Sequence, residues 1–157
     1  MVEKVWVGYM KTALGILLIL ALGAVPAWAV LGEYESSVSL DQEYMRGEIR
    51  AEAHQGYRLH QITSPNGAVV KEYVSPEGKV FGISWQAPFM PNLQRLLGSY
   101  FTYVQEGAGS QTRRRGGPLV VRRNDFVFVG GGHMRSFHGH AYVPGLLPPN
   151  ISAEVVQ

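Results

Sequence analysis

Two tight-turn signals limit what this chain can fold into. They are Ser64-Pro65-Asn66-Gly67 and Ser75-Pro76-Glu77-Gly78. Asn-Gly tolerates a positive φ, the backbone state a short hairpin turn needs. The runs around these turns, Tyr57–Thr63, Ala68–Val74 and Lys79–Trp85, are short and rich in Val, Tyr and other strand formers. Two hairpins in a row imply an antiparallel meander. In the third run Phe81, Ile83 and Trp85 share one face, and Val80, Gly82 and Ser84 share the other. The bulky set is the expected core face.

A helix follows the meander. Ala87-Pro88-Phe89-Met90-Pro91 is a rigid crossover, and Pro91 suits a first helical turn because its missing N–H costs nothing there. Leu93, Leu96, Leu97, Tyr100, Phe101 and Val104 then recur at the helical period. This face is expected to dock on the sheet, each large apolar side chain contributing about 1.5–3 kcal/mol when fully buried. Gly98 costs about 1 kcal/mol relative to Ala in a helix and permits close approach to a strand.

Upstream, Ser37 or Ser39 caps a short helix with Leu40, Tyr44 and Met45 inward and Asp41 and Glu43 in its first turn. Gly47 ends it. Ile49, Ala51 and Ala53 then alternate with Glu48, Arg50 and Glu52, which favours a strand; a continuous helix from Ser39 to Ala53 is the alternative. Downstream come a linker at Gly107–Pro118, short strands at Leu119–Arg122 and Phe126–Val129, and a Gly130-Gly131-Gly132 turn or bulge. A last strand covers Met134–Val143, with Met134, Ser136, His138, His140 and Tyr142 on one face. Pro144–Gln157 reads as a Pro-rich tail. The expected fold is α+β: an antiparallel sheet packed by the helix Pro91–Gln105, plus a short N-terminal helix.

The N-terminus has the order of a secretory signal. Lys4 and Lys11 precede the apolar run Ala13–Val25, followed by Pro26 and Ala27-Trp28-Ala29. That run is 13 residues, roughly 20 Å as a helix, short of the approximately 20 residues a membrane span requires. Cleavage after Ala29 is expected, leaving a domain at residues 30–143 and the tail at 144–157. An uncleaved anchor is the competing reading. Met10 also begins a complete signal. The sequence has no cysteine, which excludes disulfides, thiolate metal ligands and cysteine nucleophiles. A net charge of +2 gives no global field toward nucleic acid. The expected setting is the periplasm or the extracellular space, with no stable membrane insertion after cleavage.

Several stretches resemble a known family: Lys71–Pro76, Val80–Trp85 with Pro88, Pro91-Asn92-Leu93 with Leu96-Leu97-Gly98, Gly131–Phe137, and Ala141–Pro144. Together they are similar to a family of small exported bacterial proteins catalogued only as a domain of unknown function. The resemblance covers nearly all of residues 30–157 and implies a small exported domain. It brings no activity, cofactor or catalytic residue. The family pattern often has Arg at the position of Lys71 and does not require His at that of His140.

Three constellations merit testing against the structure. His138 and His140 are two apart on one strand face, with His133 just before it, and three neutral imidazoles can ligate Zn²⁺ or Cu²⁺. The plainer reading is half-exposed strand histidines beside small residues. Trp85, Phe89 and Tyr103 lie at a strand end, in a crossover and off the main helical stripe, so they are candidates for an aromatic ligand groove; core packing is the alternative. Arg113, Arg114 and Arg115, with Arg122 and Arg123 nearby, form a basic cluster able to meet anionic partners or simply stay solvated. No catalytic frame appears. Gly82-Ile83-Ser84-Trp85-Gln86 breaks the nucleophile-elbow pattern at its last position, and the triglycine lacks a phosphate-loop frame. Glu72 and Glu77 read as an exposed pair beside Lys71 and Lys79. The expected function is a non-enzymatic envelope protein that binds a polysaccharide or protein component. A metal-dependent or hydrolytic enzyme using His133, His138 and His140 is the alternative.

Overall fold

A computed structural model describes residues 30–110 and 117–157. Its order is α1 (Ser37–Met45), β1 (Glu48–His54), β2 (Tyr57–Thr63), β3 (Val69–Val74), β4 (Val80–Ala87), α2 (Leu93–Leu97), a 3₁₀ turn at Gly98–Tyr100, α3 (Phe101–Ser110), β5 (Leu119–Arg122), β6 (Val127–His133) and β7 (Ser136–Tyr142). The seven strands form one sheet in the order β1-β2-β3-β4-β7-β6-β5, every pair antiparallel. The fold is therefore α+β as expected, and both meander turns form with Gly67 and Gly78 at positive φ. The segment Leu93–Ser110 is the main helical element. Gly98, at φ 55 and ψ −126, bends it through the 3₁₀ turn while the apolar stripe stays continuous.

Period two sets what each face carries. The helical layer covers the face bearing Val70, Ile83, Trp85 and Ala141, which pack with Leu96, Leu97, Val104 and Phe128. The segment before α1 is tied down by Gly32 N–H to Val80 O (2.8 Å) and Val80 N–H to Glu33 O (2.9 Å), so Val30 and Leu31 are buried.

The structure corrects the expected faces of β4. A β-bulge in β4, opposite Tyr73 and Val74 of β3, leaves Phe81 without a ladder partner, because Val74 pairs with Val80 and Tyr73 with Gly82. The extra residue shifts the alternation. Phe81 therefore points away from Ile83 and Trp85, joining Tyr73 and Val156 on the opposite face, while Val80 joins the helical side.

That opposite face is covered by the C-terminal segment. Leu146, Leu147, Ile151, Val155 and Val156 lie over Tyr73 and Phe81, and Val156 is only 1% exposed. Gly82 permits this contact, since a Cβ there would stand 2.7 Å from Val156 Cγ2. The composition that suggests a tail, proline with little periodicity, also suits an irregular strap whose 3₁₀ turns at Pro144–Leu146 and Ala153–Val155 need no regular pattern.

The last hairpin also differs from expectation. β6 runs through the triglycine to His133, and the turn falls at Met134-Arg135, where Arg135 has φ 71. Met134 is therefore 84% exposed at the tip instead of lying in a strand. Large rings make glycine necessary beneath them. A Cβ on Gly139 would lie 2.3 Å from Trp85 Cζ2, and one on Gly130 would lie 2.6 Å from Phe128 Cζ. α1 is rotated as well: Val38 and Asp41 face inward, whereas Leu40 and Tyr44 are 49% and 55% exposed.

Candidate functional site

The crossover from β4 to α2 borders a concavity. Pro88 and Pro91 hold Phe89 and Met90 in an irregular stretch, which leaves them 41% and 53% exposed. Tyr44 and Met45 of α1 form the facing wall. Val70, Ala68 and Leu96 contribute apolar lining, and Ser64, Asn66 and Asn92 add polar groups. The groove has a volume of about 390 Å³.

A buried ion pair closes one side of the groove. Arg95 Nε donates to Asp41 Oδ1 at 2.7 Å, and Nη2 donates to Leu40 O at 2.9 Å. The guanidinium also lies 4.2 Å above the Tyr44 ring, within cation–π range. Burial pushes the Asp41 carboxyl above its ordinary value, opposed by the hydrogen bond and charge of Arg95. Asp41 Oδ2 has no hydrogen-bond partner among the described residues.

Further into the same layer lies Glu72, fully buried with neither carboxyl oxygen partnered among the described residues. Burial, then repulsion from Asp41, pushes its carboxyl well above the ordinary range. Glu72 stands opposite His60 on β2. His60 Nε2 is 2.7 Å from Oε1 of Glu35, whose two carboxylate oxygens also accept from Arg58 Nε and Nη2. The Arg58 hydrogen bond holds the Glu35 carboxyl below its ordinary value. Glu72 is thus not half of an exposed pair with Glu77. Its position was visible in the alternation of Val70, Glu72 and Val74, which puts a carboxylate in an apolar row.

The aromatic trio predicted as a groove is dispersed. Only Phe89 lines the concavity beside α1. Trp85 is 4% exposed and packs on Phe128 with ring centroids 5.6 Å apart. Tyr103 packs edge-on against Tyr100 and tilted against Phe126, and its hydroxyl lies 3.3 Å from Asp125 Oδ2. Residues that line the groove and that the spacing did not single out are Asp41, Tyr44, Met90 and Arg95. The proline pair was the usable signal, because it marks a stretch unable to cover its own side chains.

His138 and His140 do share a face, the one away from the helices. With Lys71, Ser84, Gln86 and Gln157 they line a second cleft of about 270 Å³. There the Gln157 main-chain oxygen accepts from Ser84 Oγ (2.6 Å), Tyr73 Oη (2.8 Å) and Lys71 Nζ (3.3 Å). Burial and the charge of Arg122 hold His140 below its ordinary value. His133 instead stands at the hairpin tip opposite Ser136, its Nδ1 3.1 Å from Met134 O. Among the described residues no three His, Cys, Asp or Glu side chains form a group able to hold a metal ion. The three histidines are not brought together as a ligand set.

Arg113, Arg114, Arg115 and the expected signal at 1–29 lie outside the described residues. Of the nearby basic residues, Arg123 pairs with Glu106 and lies over the Tyr103 ring. No helix among the described residues is long and apolar enough to cross a membrane. No curated protein and no solved structure matches the chain. A family model matches residues 27–156, which take in the whole sheet and the strap over one of its faces, and the chain belongs to that family, described as Protein of unknown function (DUF2844).

Proposed function

We propose that this chain is an exported, non-enzymatic binding module of the cell envelope, and that it takes an apolar segment of a partner protein in the groove beside Phe89. One observation carries the reading. The fold buries Phe81, Phe126 and Phe128 completely, yet leaves Tyr44, Phe89 and Met90 exposed around a single concave space. Large apolar side chains grouped at a concavity favour binding over mere surface scatter. The Asp41–Arg95 pair and the polar edge of Ser64, Asn66 and Asn92 supply the few directional groups such a site needs. Export rests on the positive, apolar, small-residue order of the first 29 residues.

Two measurements test this. The photoreactive residue p-benzoylphenylalanine is placed at Phe89 or at Met134 in the full chain, expressed in its native host. Cross-linking to one discrete envelope protein from position 89 and not from 134 is expected. Equal labelling from both, or none from 89, would overturn the groove assignment. N-terminal sequencing of the protein recovered from the envelope is expected to begin at Val30. A mature protein beginning at Met1 or Met10 would overturn cleavage.

A further inference from the structure

β1 is an edge of the sheet, seven residues long, and all of it except Ile49 is exposed. Among the described residues no backbone group of another element bonds to its outer side. An uncovered edge of this length is a template for another strand. Its sequence, Glu48-Ile49-Arg50-Ala51-Glu52-Ala53-His54, decides which strand fits.

Within the chain the polar side chains of β1 stand opposite Thr63, Gln61, Leu59 and Tyr57, so none meets an opposite charge on β2. Against a second copy of itself, antiparallel and centred on Ala51, the match is complete. Arg50 stands opposite Glu52 of the second copy and Glu48 opposite its His54, each pairing occurring twice. On the helical face Ile49 meets Ala53 and Ala51 meets Ala51, which covers two alanines that are exposed in the single chain. Sliding by one residue joins opposite faces of the two sheets. Sliding by two sets either Arg50 against Arg50 with Glu48 against Glu52, or Glu52 against Glu52 with Arg50 against His54. Each of these places like charges directly opposite, which is destabilising. Among registers that pair five or more of the seven residues, the charges that ordinarily blunt an edge therefore admit this one alone.

We propose that two copies of this chain pair through β1 about a two-fold axis at Ala51, joining their sheets into one continuous sheet. The inference is independent of the groove beside Phe89, which no residue of β1 lines.

Charge reversal tests it in the full-length protein by sedimentation equilibrium. The native chain is expected to dimerise. Arg50→Glu or Glu52→Arg turns two symmetry-related pairs from attraction to repulsion and is expected to weaken association about tenfold or more. The double variant Arg50→Glu/Glu52→Arg recreates the pairs in reverse and is expected to restore the dimer. The intrachain neighbours Gln61 and Leu59 are uncharged, so the swap leaves the pairing with β2 electrostatically unchanged. The absence of native cysteine gives an independent readout. Antiparallel partners have Cα atoms about 4.5–5.5 Å apart, within disulfide reach. Ala51→Cys is therefore expected to oxidise to a linked dimer. Ile49→Cys is not, since the two positions would lie about 13 Å apart, four residues along the strand. A native monomer at high concentration, a dimer indifferent to Arg50→Glu, or equal cross-linking from 49 and 51 would each overturn the proposal.

Discussion

Replacing Glu72 by methionine is expected to stabilise the protein, and more so as pH rises. The folded chain holds this carboxyl at 0% exposure with both oxygens unpartnered among the described residues. Burial, then the charge of Asp41, raises its pKa well above the ordinary 4.5. In the unfolded chain it titrates near the ordinary value. Below that pH both states carry the proton, and the group makes no pH-dependent difference. Above it the unfolded state ionises first, so the folded state binds more protons and stability falls with rising pH. The limiting slope is about 1.4 kcal/mol per pH unit, ending at the folded pKa. Methionine is of similar size and has no proton to lose. At pH 4 the Glu72→Met variant is expected to be more stable by about 1–3 kcal/mol, the usual cost of a buried polar group without a partner. The gap then widens toward pH 7. Urea denaturation followed by circular dichroism at pH 4, 5, 6 and 7 measures it. The lowered groups Glu35 and His140 are present in both proteins and drop out of the difference. Glu72→Gln keeps a neutral polar group of the same shape and removes only the titration, so it is expected to keep the pH dependence of the gap while losing most of the gap at pH 4. A difference between Glu72 and Met that stays constant, or shrinks, from pH 4 to 7 would refute a protonated carboxyl in the core.

Three further outcomes follow from packing. Gly139→Ala drives a methyl to 2.3 Å from Trp85 and 2.6 Å from Val129 O, so thermal unfolding is expected to show a loss of about 1–3 kcal/mol or more. Arg95→Ala strands the buried Asp41 carboxylate and is expected to cost about 3 kcal/mol at pH 7 in a urea melt. Because the Asp41 pKa is already raised, that loss is expected to shrink as pH falls and the carboxyl protonates. Val156→Asp places a charge over Phe81 and Tyr73, and the strap from Pro144 onward is expected to lose its amide exchange protection while β1 and β2 keep theirs.

Local chemistry made much of this architecture legible in the sequence. The turns at Asn66-Gly67 and Glu77-Gly78 require positive φ, so the meander could be drawn from residue types alone. The leucine and aromatic stripe from Leu93 to Val104 needed only the helical period, and it is that stripe which packs on the sheet. The prolines flanking Phe89 and Met90 marked a stretch without secondary structure, where one predicted ligand residue does line a groove.

Long-range contact decided the rest. One extra residue on β4 reverses the face of Phe81, and no period-two count reveals a bulge. The triglycine reads as a turn by propensity; it is a strand because it pairs with Phe137–Gly139 of β7, with Gly130 under the Phe128 ring and Gly132 against the backbone of Ser136. Asp41 faces inward because Arg95, 54 positions away, meets it. Trp85 and Tyr103 are taken up in core packing, one against Phe128 and the other against Phe126, and not in a common groove, and His133 stands apart from the cleft that His138 and His140 share. The sequence by itself determined which segments turn, which alternate and which coil, because those depend on neighbours within one or two turns. Only the tertiary structure decided which face is buried and which side chains meet, because those depend on atoms supplied by distant parts of the chain.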